Sequence, residues 1–239
     1  MVTMAQEALD RRVQELNKRY EGVDGQRVLR ALIEDEFCGQ IAVLSSFGAE
    51  SVVLLDVVAE IDPAVPVIFL DTGKLFAETI AYRDEVIAHL GLSDVRIVTP
   101  DPAQIEARDP EGILWYWDPD SCCALRKVEP LPSAIRTFEA VISGRKRYHG
   151  AMRSELALFE AVDGHIKTDP IASWTKEQVM ARFEARNLPR HPLVAKGYPS
   201  IGCEPCTSQV AEGGDVRAGR WAGTMKTECG IHLQNGMGI

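Results

Sequence analysis

The chain has 239 residues, 46% of them hydrophobic, and a formal net charge of −9. This length suits one large α/β domain or two small ones, and the hydrophobic content excludes general disorder. The acidic balance weighs against wholesale nucleic-acid binding. The sequence contains no apolar run of about 18 residues, as a membrane span requires, and its first residues lack the apolar core of a secretory signal. We therefore expect a cytoplasmic protein without a nucleic-acid or membrane partner.

The first forty residues are predicted to be helical. Apolar residues recur at helical spacing over residues 4–20, and a second helix is predicted over 25–37. Cys38 follows it directly and is interpreted as a small core residue.

Short apolar strands then alternate with helices. The chain order is strand, helix, strand, helix, strand, and a fourth strand follows after a longer interval. This alternation predicts a parallel, twisted sheet with helices on both faces. Thr175 and Gln178 fit a capping box at the start of a helix over 176–187. The predicted strands are 41–44, 65–70, 94–98 and 140–143.

Two small-residue turns follow predicted strands. Residues 45–51 read SSFGAES and precede a helix, and residues 70–74 read LDTGK. A helix that begins after a strand offers unpaired backbone N–H groups to a phosphate, and ligands bind at this edge of such sheets. An ordinary strand-to-helix turn is the alternative interpretation.

The middle of the chain has less regular pattern. Residues 100–121 are rich in Pro and Asp and are predicted to form a long loop, which in a compact domain is often functional. Cys122 and Cys123 then open a predicted helix that is interrupted around Pro130 and Pro132.

Basic residues are clustered despite the net negative charge. Residues 145–147 read Arg-Lys-Arg directly after a predicted strand, and Arg153 follows them. Arg217 and Arg220 form a second group. Local positive charge in an acidic protein suits a small anionic substrate, although a solvated run of charges is the alternative for the first group.

Four of the six cysteines form two pairs. Cys122 and Cys123 are adjacent, and Cys203 and Cys206 form a CxxC pair about 80 residues later. Because a reducing compartment disfavours disulfides, the pairs indicate a zinc or 4Fe–4S site. Adjacent ligands are awkward around one tetrahedral ion, which favours iron–sulfur. Thiols without metal and a redox-active CxxC are the alternatives.

Cys229 is unpaired and lies close to the C-terminus. Lys226 and His232 flank it, and both favour the thiolate form. A cysteine in this setting is a candidate nucleophile.

These pieces together resemble a known family. The segments SSFGAES, LDTGKLFAET, CCALRKVEPL, GRKR, GYPSIGCEPCT, RAGRW and KTECGIH span residues 45–232. In this order they resemble the assimilatory sulfonucleotide reductases, specifically the iron–sulfur adenylyl-sulfate (APS) reductases. The resemblance implies a PP-loop α/β fold, like that of the adenine-nucleotide α-hydrolases, in one reductase domain over 1–239. Within it, 1–40 are N-terminal helices, 41–200 the nucleotide-binding core, and 201–239 the CxxC segment and a mobile C-terminal segment.

The resemblance also implies roles for individual residues. Cys229 attacks the sulfur of APS, AMP leaves, and an enzyme S-sulfocysteine remains. Thioredoxin or a glutaredoxin-like dithiol then releases sulfite, as a step of sulfate assimilation toward cysteine. The cysteines implied to hold a 4Fe–4S cluster are Cys122, Cys123, Cys203 and Cys206. The implied substrate contacts are Ser45, Ser46, Gly48, Leu70, Lys127, Gly144, Arg145, Arg153, Arg217, Arg220 and His232. The oligomeric state stays open, and a homo-oligomer is compatible with the sequence.

The sequence also departs from related patterns. ATP-using PP-loop enzymes carry a turn such as SGGxDS, whereas here Phe47 takes a glycine position and Glu50 takes the place of the Asp. This disfavours a PP-loop adenylyltransferase or thiolase that carries an iron–sulfur cluster.

A zinc or nucleotide-binding module without catalysis leaves the ECGIH motif unexplained. A reductase of the 3′-phosphorylated nucleotide PAPS is the nearest alternative, but such relatives typically lack the two cysteine pairs, which favours APS. The link from RAGRW to ECGIH is also shorter than is usual in the family.

Overall fold

The computed structural model describes residues 4–150 and 153–232. In this part of the chain six strands form one sheet in the order β3-β2-β1-β4-β6-β5. All neighbouring strands are parallel except β5 and β6, which are antiparallel. The strands are β1 (Ile41–Leu44), β2 (Val67–Leu70), β3 (Val95–Val98), β4 (Ala140–Ile142), β5 (Phe159–Val162) and β6 (His165–Thr168).

The strand order reverses direction between β1 and β4. The chain goes from β1 to β2 on one side of the sheet, and β4 lies on the other side of β1. In doubly wound sheets this reversal opens a crevice beyond the carboxyl ends of the two strands. The turns that follow β1 and β4 therefore face the same crevice.

Side chains on both faces of β1 and β2 are buried, as a sheet covered by helices requires. Val43 and Phe69 point into the main core, to which the apolar helix α3 (Ser51–Ile61) contributes most of its side chains. Ala42 and Ile68 point to the opposite face and pack with Phe138. The sequences of β1 and β2 therefore form continuous rather than alternating hydrophobic runs.

Caps explain where several helices begin and end. Asp24 accepts a hydrogen bond from the backbone of Gln26 at the start of α2 (Gly25–Ala31), and Thr175 and Gln178 form the predicted capping box of α9 (Lys176–Ala185). Gly91 ends α4 (Ala77–Leu90) in the left-handed conformation. The helices are α1 (Met4–Arg19), α2 (Gly25–Ala31), α3 (Ser51–Ile61), α4 (Ala77–Leu90), α5 (Pro102–Arg108), α6 (Leu114–Trp117), α7 (Pro119–Cys123), α8 (Leu131–Ile135) and α9 (Lys176–Ala185). The helix predicted over 25–37 changes to a π-helical turn at Leu32–Glu36.

The prediction of a long loop over residues 100–121 is wrong. This stretch contains α5, α6 and most of α7. Asp101 caps α5 and Asp118 caps α7, each directly before a proline at the first helical position. Asp followed by Pro is a helix-start signal, which the high Pro and Asp content concealed. Cys122 and Cys123 are therefore the last two residues of α7 rather than the start of a helix, and a π-helical turn at Ala124–Val128 follows them.

The predicted parallel sheet is confirmed, and one antiparallel strand that was not predicted, β5, lies at its edge. β5 and β6 form a hairpin whose turn is Asp163-Gly164, and both turn residues have positive φ. An Asp-Gly pair between two short strands is a strong hairpin signal, so the sequence did carry this information. Cys38, interpreted as a core residue, is exposed.

None of the helices in the described residues is long and apolar enough to span a membrane.

Candidate active site

The turn after β1 is held in a strained conformation. Phe47 has φ of 46°, in the left-handed region that bulky residues rarely adopt. Its ring is fully buried and packs edge-on against Phe69, with the ring centroids 5.4 Å apart. The Ser45 hydroxyl accepts a hydrogen bond from the backbone N–H of Phe47 at 3.2 Å. Burial of the ring therefore offsets the strain of this conformation.

Glu50 directly precedes α3, and its carboxylate contacts three side chains from the turn after β4. Its carboxylate accepts a hydrogen bond from the Tyr148 hydroxyl at 2.6 Å and pairs with Lys146 Nζ at 3.1 Å. His149 Nε2 lies 3.0 Å from the same oxygen. Burial opposes ionisation of Glu50, but His149 and Lys146 outweigh it and lower the pKa of this carboxyl to about 2. Part of the basic cluster is therefore buried and paired, rather than a solvated run of charges.

A cavity of about 210 Å³ lies beyond the ends of β1, β2 and β4. It reaches from these strand ends to the C-terminal segment that carries Cys229. Ten of the eleven predicted substrate contacts line it together with the predicted nucleophile: Ser45, Ser46, Gly48, Leu70, Lys127, Gly144, Arg145, Arg153, Arg217, Arg220 and Cys229. The eleventh, the side chain of His232, lies outside the described part, as do residues 151–152 of the basic loop. The structure thus brings these residues together, and their individual roles stay predictions.

Arg145 lines the cavity but is bound by acidic side chains. Its Nη2 lies 2.5 Å from Asp169 and 2.9 Å from Glu160. Asp169 is 1% exposed and also accepts a hydrogen bond from the Ser143 hydroxyl. These contacts give Arg145 a structural role in the turn after β4, whatever it contributes to ligand binding.

The guanidinium of Arg220 fits against a glycine. A Cβ atom at Gly202 would lie 2.2 Å from Arg220 Nη2, closer than any real contact. Arg220 also donates to the carbonyl of Ile201 at 3.2 Å and stacks over the ring of Trp221, 4.5 Å from its centroid. Gly202 is therefore needed for this arginine to lie between the CxxC segment and the cavity.

The two cysteine pairs meet in a second, smaller cavity. Cys122 and Cys123 reach it from the end of α7, and Cys203 and Cys206 reach it from the turn at Glu204–Cys206. The Thr72 hydroxyl lies 3.3 Å from Cys203 Sγ. Among residues 4–150 and 153–232, no group of three or more His, Cys, Asp or Glu side chains is arranged around one metal ion.

This donor set suits an anionic cluster better than one ion. In a cubane each thiolate binds a different iron, so the four sulfurs need not converge on one point. Cationic side chains surround the cavity and complement negative charge. Arg126 Nε and Arg220 Nε are buried there and have no hydrogen-bond partner within the described part of the chain, and an anionic group in the cavity would provide one. The cations that line the cavity are Lys74, Arg126, Lys127 and Arg220.

Cys229 lies in the larger cavity and is 7% exposed. The Cys123 thiol, Lys127, the N–H of Ile231 and Arg220 lower the pKa of Cys229 well below its ordinary value, against the opposing effect of burial. Burial likewise opposes the charge of Lys127, but Cys229, Cys203 and Cys123 outweigh it and raise the pKa of Lys127. A thiolate at Cys229 thus lies beside a lysinium and a cationic surface, a setting that suits a nucleophile for an anionic substrate.

Sequence reasoning did not assign three further residues that line the larger cavity: Lys146, Trp221 and Glu228. Lys146 was recognised only as part of a charge run, and Trp221 only as part of a motif. Glu228 carried one available signal, because it is an acidic residue between the predicted substrate contacts Arg220 and His232.

Comparison with known proteins agrees with this geometry. Residues 40–209 match the family described as phosphoadenosine phosphosulfate reductase domain. An adenosine 5′-phosphosulfate reductase of Mesorhizobium japonicum is 49% identical over 208 residues, covering 87% of this chain and 80% of the relative. A phosphoadenosine 5′-phosphosulfate reductase of Gloeobacter violaceus is 38% identical and covers 92% of this chain and 93% of the relative.

Solved structures show the same architecture. A phosphoadenylyl-sulfate reductase from Candida auris, in complex with phosphate, superposes with a TM-score of 0.69 at 27% identity, covering 87% of this chain and 99% of that chain. An FMN adenylyltransferase from Candida glabrata has a TM-score of 0.55 at 14% identity, covering 82% of this chain and 73% of that chain, and shows the fold alone. The PP-loop-like fold expected from the sequence is therefore confirmed, and the chain belongs to the phosphoadenosine phosphosulfate reductase domain family of oxidoreductases.

Proposed function

We propose that this protein reduces adenylyl sulfate to sulfite and AMP, with electrons from a dithiol protein. The observation that carries the proposal is the position of Cys229, which lies in the larger cavity among the cationic side chains of Lys127, Arg217 and Arg220. Two relatives at 49% and 47% identity that bear the name adenosine 5′-phosphosulfate reductase support it.

In the proposed reaction the Cys229 thiolate attacks the sulfur of the sulfate group. A bond forms between the two sulfur atoms, the bond to the bridging oxygen breaks, and AMP leaves with that electron pair. The cations neutralise the sulfate oxygens and the leaving phosphate in a site shielded from water. A dithiol such as thioredoxin or a glutaredoxin-like protein then attacks the S-sulfocysteine, releases sulfite and becomes a disulfide, so both electrons come from the donor.

We propose that Cys122, Cys123, Cys203 and Cys206 hold a 4Fe–4S cluster in the smaller cavity. The four thiols, the surrounding cations and the unpartnered Nε atoms of two arginines support this. When bound, the cluster supplies a fixed electrostatic element beside Lys127. Lys127 lines both cavities, so it can bind a sulfate oxygen on one side and complement the cluster's negative charge on the other. We further propose that residues 1–239 act as one reductase domain.

The phosphorylated nucleotide PAPS is the second candidate substrate, because the Gloeobacter and Candida auris relatives carry that name. Glu50 favours APS. Its carboxylate lines the cavity in ionised form, and its cationic neighbour Lys146 is already paired with it. A further phosphate at this end of the cavity would meet negative charge.

Sulfite release from APS and from PAPS, measured with thioredoxin and its reducing system, tests the proposal. We expect APS to be preferred by about tenfold or more in kcat/KM, which corresponds to about 1.4 kcal/mol of transition-state stabilisation. A preference for PAPS would reverse the substrate assignment. No sulfite from either nucleotide would remove the proposed reaction altogether.

A further inference from the structure

Glu228, directly before the proposed nucleophile, lies inside the cationic part of the larger cavity. Its Oε2 accepts hydrogen bonds from Arg153 Nε at 2.7 Å and from Arg153 Nη2 at 2.6 Å. Its Oε1 lies 3.2 Å from Arg217 Nη2 and accepts a hydrogen bond from the backbone N–H of Cys229 at 3.0 Å. The proposed reaction gives this carboxylate no role.

The two arginines that bind Glu228 are among the residues predicted to bind the substrate. A guanidinium recognises carboxylates and the oxygens of phosphate or sulfate through the same pairs of N–H donors. In this structure Arg153 directs two such donors to Glu228, and Arg217 directs a third. A sulfonucleotide that uses these donors must therefore replace the carboxylate.

The same carboxylate fixes the backbone of the nucleophile. Through Arg153 it connects the basic loop after β4 with the C-terminal segment, and through its Oε1 it holds the N–H of Cys229. The side chains of Glu228 and Arg153 are each 10% exposed, so water competes little for this pair.

We propose that Glu228 is a positioning residue that holds Cys229 in the cavity before the substrate arrives, and that its carboxylate competes with the anionic groups of the substrate for Arg153 and Arg217. The inference rests on the function proposed above. Loss of the charge should strengthen binding of the anionic nucleotide while it weakens the placement of the thiol. A residue that serves only stability would not separate these two effects.

The binding test uses the Cys229→Ser protein, so that bound APS is not consumed. Titration calorimetry compares this protein with the Cys229→Ser, Glu228→Gln double variant, with APS as the probe and uncharged adenosine as the control. We expect the double variant to bind APS about tenfold more tightly, since two charge-assisted contacts become available, and to bind adenosine with unchanged affinity. Unchanged or weaker APS binding, or an equal gain for adenosine, would overturn the proposal.

The kinetic test uses Glu228→Gln and Glu228→Asp with Cys229 intact. Glu228→Gln should lower both KM for APS and kcat, and Glu228→Asp should restore part of the wild-type KM because it keeps the charge. If both variants lose APS binding, Glu228 serves only the fold and the proposal is wrong. If the parent protein neither binds nor reduces APS, the proposed function itself fails, and adenosine binding then shows that the protein is folded.

Discussion

Lys127 lines the larger cavity together with Cys229 and the smaller cavity together with Cys123. One lysine side chain therefore borders both the predicted nucleophile and the predicted cluster site. This shared lysine explains how a cluster that carries no electrons in the proposed reaction can still influence the reacting thiol, because Lys127 lowers the pKa of Cys229 and also borders the charge of the smaller cavity.

The cluster prediction is tested at the CxxC pair. Cys203→Ser should lose the bound iron and the broad visible absorption of the anaerobically purified protein, together with sulfite production, because one corner of the cubane then lacks its thiolate. Cys38→Ser is the matched control, because this cysteine is exposed and lines neither cavity. Full iron content in the Cys203 variant would exclude that residue as a ligand.

Arg145 is expected to support the fold. Arg145→Ala leaves Asp169 buried without its guanidinium partner, and removal of one member of a buried ion pair costs about 3 kcal/mol or more. Arg96→Ala removes the exposed pair with Asp94 and should cost less than about 1 kcal/mol. Thermal unfolding of the two variants measures the difference. Equal melting temperatures for Arg145→Ala and the wild type would contradict this structural role.

His191 should make stability depend on pH. Its Nδ1 accepts a hydrogen bond from the N–H of Leu193, so Nε2 carries the proton and donates to the Thr79 hydroxyl at 3.0 Å. Burial lowers the pKa of His191 to about 4. As the pH falls below the ordinary histidine pKa of about 6.5, His191 becomes protonated in the unfolded chain but stays neutral in the folded protein until the pH approaches 4. The contribution of His191 to stability is therefore fully present near neutral pH and is lost as the pH falls.

This contribution amounts to about 2 kcal/mol between pH 7 and 5, or roughly 5 °C in melting temperature. His191→Gln lacks the titrating group and is the matched variant. We expect the wild-type melting temperature to fall further than that of His191→Gln between these two pH values. Parallel falls in both proteins would show that other groups account for the acid sensitivity.

The amino-acid pattern predicted the parallel strands and the edge of the sheet at which the site lies. A short continuous apolar run such as residues 41–44 is typical of a strand buried on both faces of a parallel sheet. The turn that follows such a strand lies at its carboxyl end, where ligands bind. The short helices over residues 100–121 were not predicted, because the high Pro and Asp content of this stretch was interpreted as a loop. The two Asp-Pro pairs in it are in fact helix starts. The hairpin around Asp163-Gly164 was missed although its turn sequence is distinctive.

Pairings between distant side chains could not be predicted from the sequence. The Glu50 contacts with Lys146 and Tyr148, and the Glu228 contact with Arg153, join segments about 75 to 100 residues apart. Charge alone does not specify which acidic residue meets which basic one, because tertiary packing decides the distances. The resemblance implied that Arg153 contacts the substrate, but only the structure shows that a carboxylate of the same chain binds it.

The central claim is that Cys229 forms a covalent bond to the sulfur of the substrate. The most direct measurement is peptide mass spectrometry of the wild-type protein after a single turnover with APS and no thiol donor. We expect one added sulfonate on the peptide that contains Cys229, AMP in equal amount, and release of sulfite once thioredoxin and its reducing system are added. Cys229→Ser should still bind APS and gain no adduct. An adduct on another cysteine, or normal turnover by Cys229→Ser, would contradict the account.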